Sequence, residues 1–170
     1  VMFEEFPSGE AIRNLAKNIK ERNNLLADKD FRENFKKEIK RKFAPKVWHK
    51  DLSMTTILES PETTMIGKNF YQIAEERNLH PVDCFLDIII DYDQKIRWTT
   101  TIGNDRVEKY KDLYNYTYNI ISFSDAGAHL TNMAFYNFPL QMIKNVQKSI
   151  VQHNPIMTME KCIWRLSKEQ

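Results

Sequence analysis

A chain of 170 residues with 42% hydrophobic and 12% aromatic residues can bury one core, so we expect a single globular domain. Its 25 basic and 23 acidic side chains leave a net charge of +2, which argues against nucleic acid or an anionic membrane as a partner. Only four glycines are present, and neither GxGxxG nor GxxxxGKS occurs, which argues against a phosphate-binding loop.

Two further features favour a cytoplasmic location. No apolar run approaches the roughly 20 residues that are needed to span a bilayer. Cys84 and Cys162 are far apart in the sequence, and each lies within a helical pattern. We therefore expect both thiols to be buried as small apolar groups, without a disulfide or a metal, as in a reducing compartment.

Residues 1–60 are predicted to be mainly helical. Ser8 can cap a first helix, and Asp28 or Asp30 a second one. The apolar stripes behind these caps comprise Ala11, Ile12, Leu15 and Ile19 in the first helix, and Phe31, Phe35, Ile39 and Phe43 in the second. The opposite face of the second helix carries the basic residues Lys36, Lys37, Lys40, Arg41 and Lys42. Such a run is usually a solvated helix face, and binding of a polyanion is the alternative interpretation.

Between residues 54 and 94 the pattern predicts one strand and two helices. The strand is expected at 54–58. Asn69 followed by Gln72 resembles a capping pair that opens a short helix ending near Arg77. Pro81 suits the first turn of the next helix. The buried side of that helix would carry Phe85, Leu86, Ile89 and Ile90.

The remainder of the chain predicts a βαβ unit and a final helix. Apolar and polar residues alternate at 95–102, Asn104 can cap a helix that runs through Leu113, and 118–124 reads as a second strand. The connection is too long for a hairpin, so the two strands are expected to be parallel with a right-handed crossover. Thr158 is a suitable cap for a closing helix at 159–168.

An aspartate stands where the last predicted strand ends. Residues 123–130 read FSDAGAHL and follow the apolar residues Tyr118, Ile120 and Ile121. Asp125 could bind a divalent metal and take a proton from water, while the small residues 126–128 leave room for a substrate. The alternative is that Ser124 or Asp125 merely caps a turn or short helix.

The hexapeptide SDAGAH resembles the last-strand motif of the amidohydrolase superfamily, in the branch of D-aminoacylases and N-acyl-D-amino-acid deacylases. Further segments are similar to this branch in the same order, so the resemblance covers nearly the whole chain. They are FEEFPS at 3–8, DKDFRENFKKEI at 28–39, GKNFYQIAEERNLHPVDCFLDIIID at 67–91 and MTMEKCIWRLSKEQ at 157–170. The hexapeptide and the 67–91 segment are the most specific parts.

The resemblance implies an α/β fold, namely the C-terminal part of a (β/α)8 TIM-type barrel of the metal-dependent hydrolase kind. Residues 1–60 would be a helical insertion, and residues 61–170 would contain the last βα units. The family removes an acyl group from N-acyl amino acids with water activated on zinc. Asp125 would be the catalytic, metal-associated general acid and base. His129, Gly127 and Ser124 would contact the substrate or the groups behind the metal ligands. For His129, a purely structural hydrogen-bonding role is the alternative.

The chain departs from the family pattern in its histidines. The family's H-x-H pair, bridging residue and two further histidine ligands do not occur, and the four histidines are scattered. We therefore expect a fragment of a longer enzyme, inactive by itself, whose other zinc ligands lie outside this chain. A split enzyme, or a degenerate and catalytically silent interaction domain, is the alternative. Because two strands cannot close an eight-stranded barrel, we also expect the isolated chain to self-associate.

Overall fold

The computed structural model describes residues 3, 6–41, 49–101, 106–121 and 137–168. The chain divides into two compact units, Val1–Asp105 and Arg106–Gln170. The segment boundary predicted from the sequence, at residue 60, lies inside the first of these units. Each unit has its own hydrophobic core.

The first unit opens with three helices, α1 (Gly9–Asn14), α2 (Ile19–Ala27) and α3 (Lys29–Ile39). The predicted cap of α3 is confirmed, because the Asp28 carboxylate accepts a hydrogen bond from Phe31 N at 2.8 Å. Asn18 caps α2 in the same way through Glu21 N. Both caps satisfy backbone N–H groups that have no partner within the helix.

The first predicted apolar stripe is only partly correct. Ile12 is buried in α1. This helix ends at Asn14, and Ile19 begins the separate helix α2, so Ile12 and Ile19 do not lie on one helix face as predicted. Ile19 is consequently 52% exposed. Ser8 precedes α1 as predicted but makes no capping bond. In the second stripe, Phe31 and Phe35 are buried and Ile39 packs against the core as predicted, while Phe43 lies outside the described residues.

A two-stranded antiparallel sheet follows, formed by β1 (Thr55–Glu59) and β2 (Arg97–Thr100). Both strands were predicted, but their pairing was not. Thr55 lies opposite Thr100 and Ile57 opposite Trp98, with an irregularity before the Glu59 and Arg97 pair. On the other edge of β1, Ile57 N donates to Lys68 O and Ile57 O accepts a hydrogen bond from Gly67 N, both at 2.9 Å.

Two helices lie between the strands, α4 (Phe70–Glu76) and α5 (Pro81–Tyr92). Asn69 and Gln72 form the predicted capping box, with each side chain 2.9 Å from the other residue's backbone nitrogen. Pro81 occupies the first turn of α5 as predicted. Short 3₁₀ turns complete the described backbone at Leu52–Met54, Thr63–Met65, Asp93–Lys95 and Val107–Lys109.

Aromatic side chains dominate the core of the first unit. Phe70 and Phe85 meet edge to face with ring centroids 5.0 Å apart, and Trp98 lies within 5.9 Å of both rings. Phe35 packs against Phe6 and Phe31 at 4.7 and 6.1 Å. The core therefore joins α3, α4 and α5 through buried rings, and β2 through the half-buried ring of Trp98.

The second unit consists of α6 (Tyr110–Asn115), α7 (Phe138–Val151) and α8 (Met159–Ser167). Thr158 caps α8 as predicted, accepting a hydrogen bond from Lys161 N. The α7 helix was not predicted, although Pro139 lies in its first turn and Met142 and Val146 recur at helical spacing. The buried core of this unit comprises Met142, Val146, Met157 and Cys162.

The barrel prediction is wrong for the part of the chain that the structure describes. The strand at 97–100 pairs with 55–59 in antiparallel fashion, so it is not half of a parallel βαβ unit. Residues 118–121, the described part of the second predicted strand, lie in a turn and an irregular segment. In this small, mainly helical fold, two strands form the whole described sheet. Among the described helices, none is long and apolar enough to cross a membrane.

Candidate active site

The residues predicted to carry the chemistry lie outside the described part of the chain. Ser124, Asp125, Gly127 and His129 all fall within 122–136, and their roles stay predictions. The structure does describe the segment that leads towards them, from α6 to Ile121. It also describes α7 and α8, which hold that segment.

We call residues 110–121, from α6 to Ile121, the approach segment. A buried arginine is its main contact. Arg165 of α8 is only 2% exposed. Its two terminal nitrogens each lie 3.2 Å from the carbonyl oxygen of Tyr116, and one of them also donates to the carbonyl oxygen of Asn119. These carbonyls are thus bonded to a side chain and not to a neighbouring strand.

An asparagine at the end of α6 provides a second anchor. The Asn115 amide donates to the carbonyl oxygens of Lys111 at 2.8 Å and Ile156 at 2.9 Å. Its own oxygen accepts a hydrogen bond from Lys161 Nζ at 2.9 Å. A side chain with donors and an acceptor can thus join α6, α8 and the turn that precedes α8.

Polar groups also join α6 to α7. Asn145 donates to the hydroxyl of Tyr114 at 3.2 Å, and burial raises the pKa of that hydroxyl. Ser149, which is buried, donates to Val146 O at 2.7 Å and accepts from Ile156 N at 3.0 Å. Sequence reasoning missed Arg165, Asn115 and Ser149, because their partners are backbone groups that no local pattern reveals.

The described histidines and acidic residues do not form a metal centre. Among the residues that the structure describes, no group of three or more His, Cys, Asp or Glu side chains could hold a metal ion. The expectation of a metal-binding chain is therefore wrong for the part that the structure describes, and Asp125, the predicted metal ligand, lies outside that part. His80 caps α5 through Val82 N at 3.2 Å, and His153 lies exposed in the turn after α7 with φ 57°. His49 is half-buried.

Two polar side chains of the first unit, Ser8 and Arg97, have structural partners. Ser8 donates through its hydroxyl to the Glu38 carboxylate at 2.7 Å and so links the start of α1 to α3. Arg97 pairs with Glu59 across the sheet at 3.4 Å, in an exposed position where such a pair contributes little. Neither contact indicates a ligand.

The basic face of α3 is partly neutralised within the first unit. Lys36 lies 2.8 Å from both Glu33 and Asp83, and its hydrogen bond to Asp83 is the main cause that raises its pKa. Arg32 pairs with Asp87 at 2.5 Å. The acidic face of α5 thus meets basic residues of α3, so these two cations already have carboxylate partners inside the fold.

A further polar cluster joins the 62–65 turn to α4 and α5. The Glu62 carboxylate accepts hydrogen bonds from Tyr92 at 2.8 Å and Arg77 at 3.0 Å. The bond from Tyr92 lowers the pKa of Glu62 and raises that of Tyr92. The polar groups of this cluster hydrogen-bond one another, so the cluster links three structural elements.

Comparisons with known proteins assign no activity. No family model matches the chain, and no solved structure matches it. The chain is 41% identical over 170 residues to uncharacterized proteins of Mycobacterium bovis and of the CDC 1551 and H37Rv strains of Mycobacterium tuberculosis. Each match covers 99% of this chain but 28% of the relative, so the chain spans little more than a quarter of the length of these proteins.

Proposed function

We propose that the chain is part of an amide hydrolase that removes the acyl group from N-acyl D-amino acids or a related amide. Asp125 is its general acid and base. The observation that carries this proposal is the SDAGAH sequence at 124–129, together with its resemblance to the amidohydrolase motif.

The chemistry assigned to Asp125 requires two proton transfers. The carboxylate takes a proton from water as the water oxygen bonds to the amide carbonyl carbon. When the carbon–nitrogen bond breaks, the same carboxyl group returns the proton to the departing nitrogen. The products are the free amine of the amino acid and the acid of the acyl group. One residue serves as base and then as acid, so its protonation state is restored after each turnover.

The neighbours of Asp125 in the sequence suit this task. Gly127 lacks a side chain and would leave room for a substrate to approach. Ser124 and His129 supply a hydroxyl and an imidazole that can hydrogen-bond the substrate carboxylate or carbonyl. A D-amino-acid substrate carries its own carboxylate, so donors are needed beside the reacting amide.

The zinc that the resemblance implies has no ligand set among the described residues. We therefore propose that its ligands lie outside this chain, in a longer protein. The much greater length of the mycobacterial relatives supports a longer protein. The two free and buried cysteines, Cys84 and Cys162, support a reducing and hence cytoplasmic location.

A substrate panel tests the proposed function. The complete gene product that contains this chain would be supplied with zinc and incubated with N-acetyl, N-butyryl and N-benzoyl derivatives of several D-amino acids, each paired with its L enantiomer. Released primary amine is measured by fluorescent labelling. We expect release from at least one D substrate, faster than from its L enantiomer. A folded gene product that releases amine from no N-acyl amino acid would overturn the proposal.

A catalytically silent interaction domain is the second candidate. It is favoured by the large apolar side chains that the second unit exposes to solvent. Tyr118 is 85% exposed, Leu140 68% and Val151 72%. Where such side chains form one contiguous patch, they are typical of surfaces that contact another protein. Absence of turnover together with tight, saturable binding to another part of the gene product would favour this candidate.

A further inference from the structure

A pocket of about 250 Å³ lies in the first unit, between α1, α2 and α5. We call it the α1 pocket. Its floor is formed by Ile12, Leu26 and Ile89, which are 7%, 0% and 8% exposed and belong to the hydrophobic core. Ligand pockets of proteins are mainly apolar and usually measure about 300–1,000 Å³. A pocket slightly below that range suits a small ligand with a short apolar chain.

The rim of the α1 pocket carries an arginine whose charge has no partner inside the described part of the chain. Arg13 of α1 is exposed and lines the pocket. Its guanidinium makes no ion pair or side-chain hydrogen bond with any other described residue. Arg22 also lines the pocket, but it binds Asp93 at 2.8 Å and Asn23 at 3.0 Å. Arg13 is therefore the cation of this rim that is available to a ligand.

Small residues keep the pocket open beside Arg13. Gly9 has no side chain and Ala16 only a methyl group, and both line the pocket. Ala16 is exposed, so a larger side chain there would occupy the opening without disturbing the core. The opening thus joins an apolar floor to one positive charge.

The charges around Arg13 favour an anion on the side of the apolar floor. A neighbouring hollow of about 290 Å³ shares Gly9 and Arg13 with the α1 pocket, but it is also lined by Glu10. The carboxylate of Glu10 repels an anion on that side. In the α1 pocket itself the acidic Asp93 is already paired with Arg22.

We propose that the α1 pocket binds a small carboxylate that carries an apolar chain. The chain lies against Ile12, Leu26 and Ile89, where its burial is favourable. The carboxylate pairs with Arg13, whose planar fork of N–H groups matches two carboxylate oxygens. A free fatty acid and an N-acyl amino acid both have this chemistry. The inference does not rest on the proposed function, because it concerns residues of α1, α2 and α5 only.

Calorimetric titration of the complete gene product with four ligands tests the chemistry of the site. Octanoate should bind saturably and more tightly than hexanoate, by up to about fourfold for each additional buried methylene group. Octylamine has the same chain with a positive charge and should not bind. N-octanoyl-D-alanine distinguishes the two sources of the ligand. Tighter binding of octanoate indicates a free acid, the reverse order indicates an intact N-acyl amino acid, and both orders support the site.

Three variants locate the binding. Arg13→Gln removes the charge at an exposed position and should weaken octanoate binding about fivefold, the usual upper effect of an exposed ion pair. Ala16→Trp fills the opening and should abolish saturable binding while Arg13 is kept. Arg41→Gln makes the same change as Arg13→Gln at an exposed position outside the pocket and serves as the control, with an unchanged Kd.

Hydrogen exchange gives a local measurement that does not depend on any variant. Octanoate should slow exchange in peptides that cover residues 9–27, because it bridges α1 and α2. Unchanged exchange in these peptides overturns the inference, even if octanoate binds elsewhere. Equal binding of octylamine, or an unchanged Kd in both Arg13→Gln and Ala16→Trp, also overturns it. If one of these two variants does not fold, the other decides together with the exchange measurement.

Discussion

Cys84 shows how burial changes the chemistry of one side chain. The thiol lies fully buried in α5, and burial raises its pKa from the usual 9.0 to about 11. As the pH rises from 9 towards 11, the thiol of the unfolded chain ionises while that of the folded chain stays neutral. This contribution to the free energy of unfolding is therefore complete below pH 9.0 and is lost as the pH rises through about 11.

We predict that Cys84→Ala removes this part of the pH dependence. Urea unfolding of the wild type and the variant would be compared at about pH 8 and about pH 10.5, so that the titration of lysines and tyrosines cancels in the difference. The wild type should lose more stability than the variant over this interval. Equal losses in both proteins would contradict the role assigned to burial of the thiol.

Individual residues differ in how well the sequence reveals them. Burial of Cys84 and Cys162 was predicted correctly, because a small apolar residue within a helical pattern is most often inside. The same rule places arginine outside, so nothing in the sequence indicated that Arg165 is buried. Its partners are backbone carbonyls distant in sequence, and such contacts follow from the tertiary fold alone.

At the scale of elements, the aromatic core of the first unit is where α4, α5 and β2 meet. Phe70 is fully buried at the first position of α4 and packs edge to face on Phe85 and Trp98. Its removal would leave a cavity between α4, α5 and β2. The next residue, Tyr71, is 51% exposed on the same helix and offers a matched comparison.

We predict that Phe70→Ala lowers the free energy of unfolding by about 3–5 kcal/mol, the usual cost of truncating a buried phenylalanine. Tyr71→Ala should change it by less than about 1 kcal/mol, because most of its ring already contacts water. Chemical denaturation followed by tryptophan fluorescence measures both, since Trp98 contacts Phe70 directly. Equal effects of the two variants would show that the packing described for this core is incorrect.

Local elements could be read from the sequence much better than their arrangement. The capping box at Asn69, the proline-led α5 and the strands at 54–58 and 95–102 depend on neighbouring residues and were predicted within one or two residues at most ends. Alternation shows that a strand has two faces, but it does not identify the partner strand. For this reason the prediction of a parallel βαβ unit was wrong.

At the scale of the whole molecule, the exposed apolar residues of the second unit predict self-association of the isolated 170-residue chain. The sequence analysis expected self-association because two strands cannot close a barrel. That reason does not apply, because the described strands form no barrel. Leu140 and Val151 lie at opposite ends of α7 and are 68% and 72% exposed. Association would remove such side chains from water.

Light scattering would test this prediction over a range of concentrations. The double variant Leu140→Lys with Val151→Lys should shift the mass towards that of one chain. Gln141→Lys with Gln147→Lys adds the same charge at exposed polar positions of α7 and should leave the association unchanged. A wild type that stays a compact monomer at every concentration would refute the prediction.

The architecture was predicted wrongly because a whole barrel fold was inferred from a short sequence motif. SDAGAH is a short segment whose resemblance concerns chemistry, whereas the described strands pair in a way that a parallel barrel does not allow. The helical character of residues 8–39 was predicted correctly, since periodic apolar residues and caps are local signals. The division into the units Val1–Asp105 and Arg106–Gln170 depends on long-range packing and has no local signal.

The central claim is that Asp125 moves the proton in amide hydrolysis, and one comparison of variants tests it most directly. Asp125→Asn keeps the shape of the side chain but removes the basic carboxylate. Asp112→Asn makes the same change at an exposed position of α6 and serves as the control.

Turnover of the best N-acyl substrate by the complete gene product is measured at equal folded fraction. We predict that Asp125→Asn loses about 10²- to 10⁴-fold while Asp112→Asn keeps wild-type turnover. Retention of more than about a tenth of wild-type turnover by Asp125→Asn would contradict the claim, because a general acid and base contributes at least about 10²-fold.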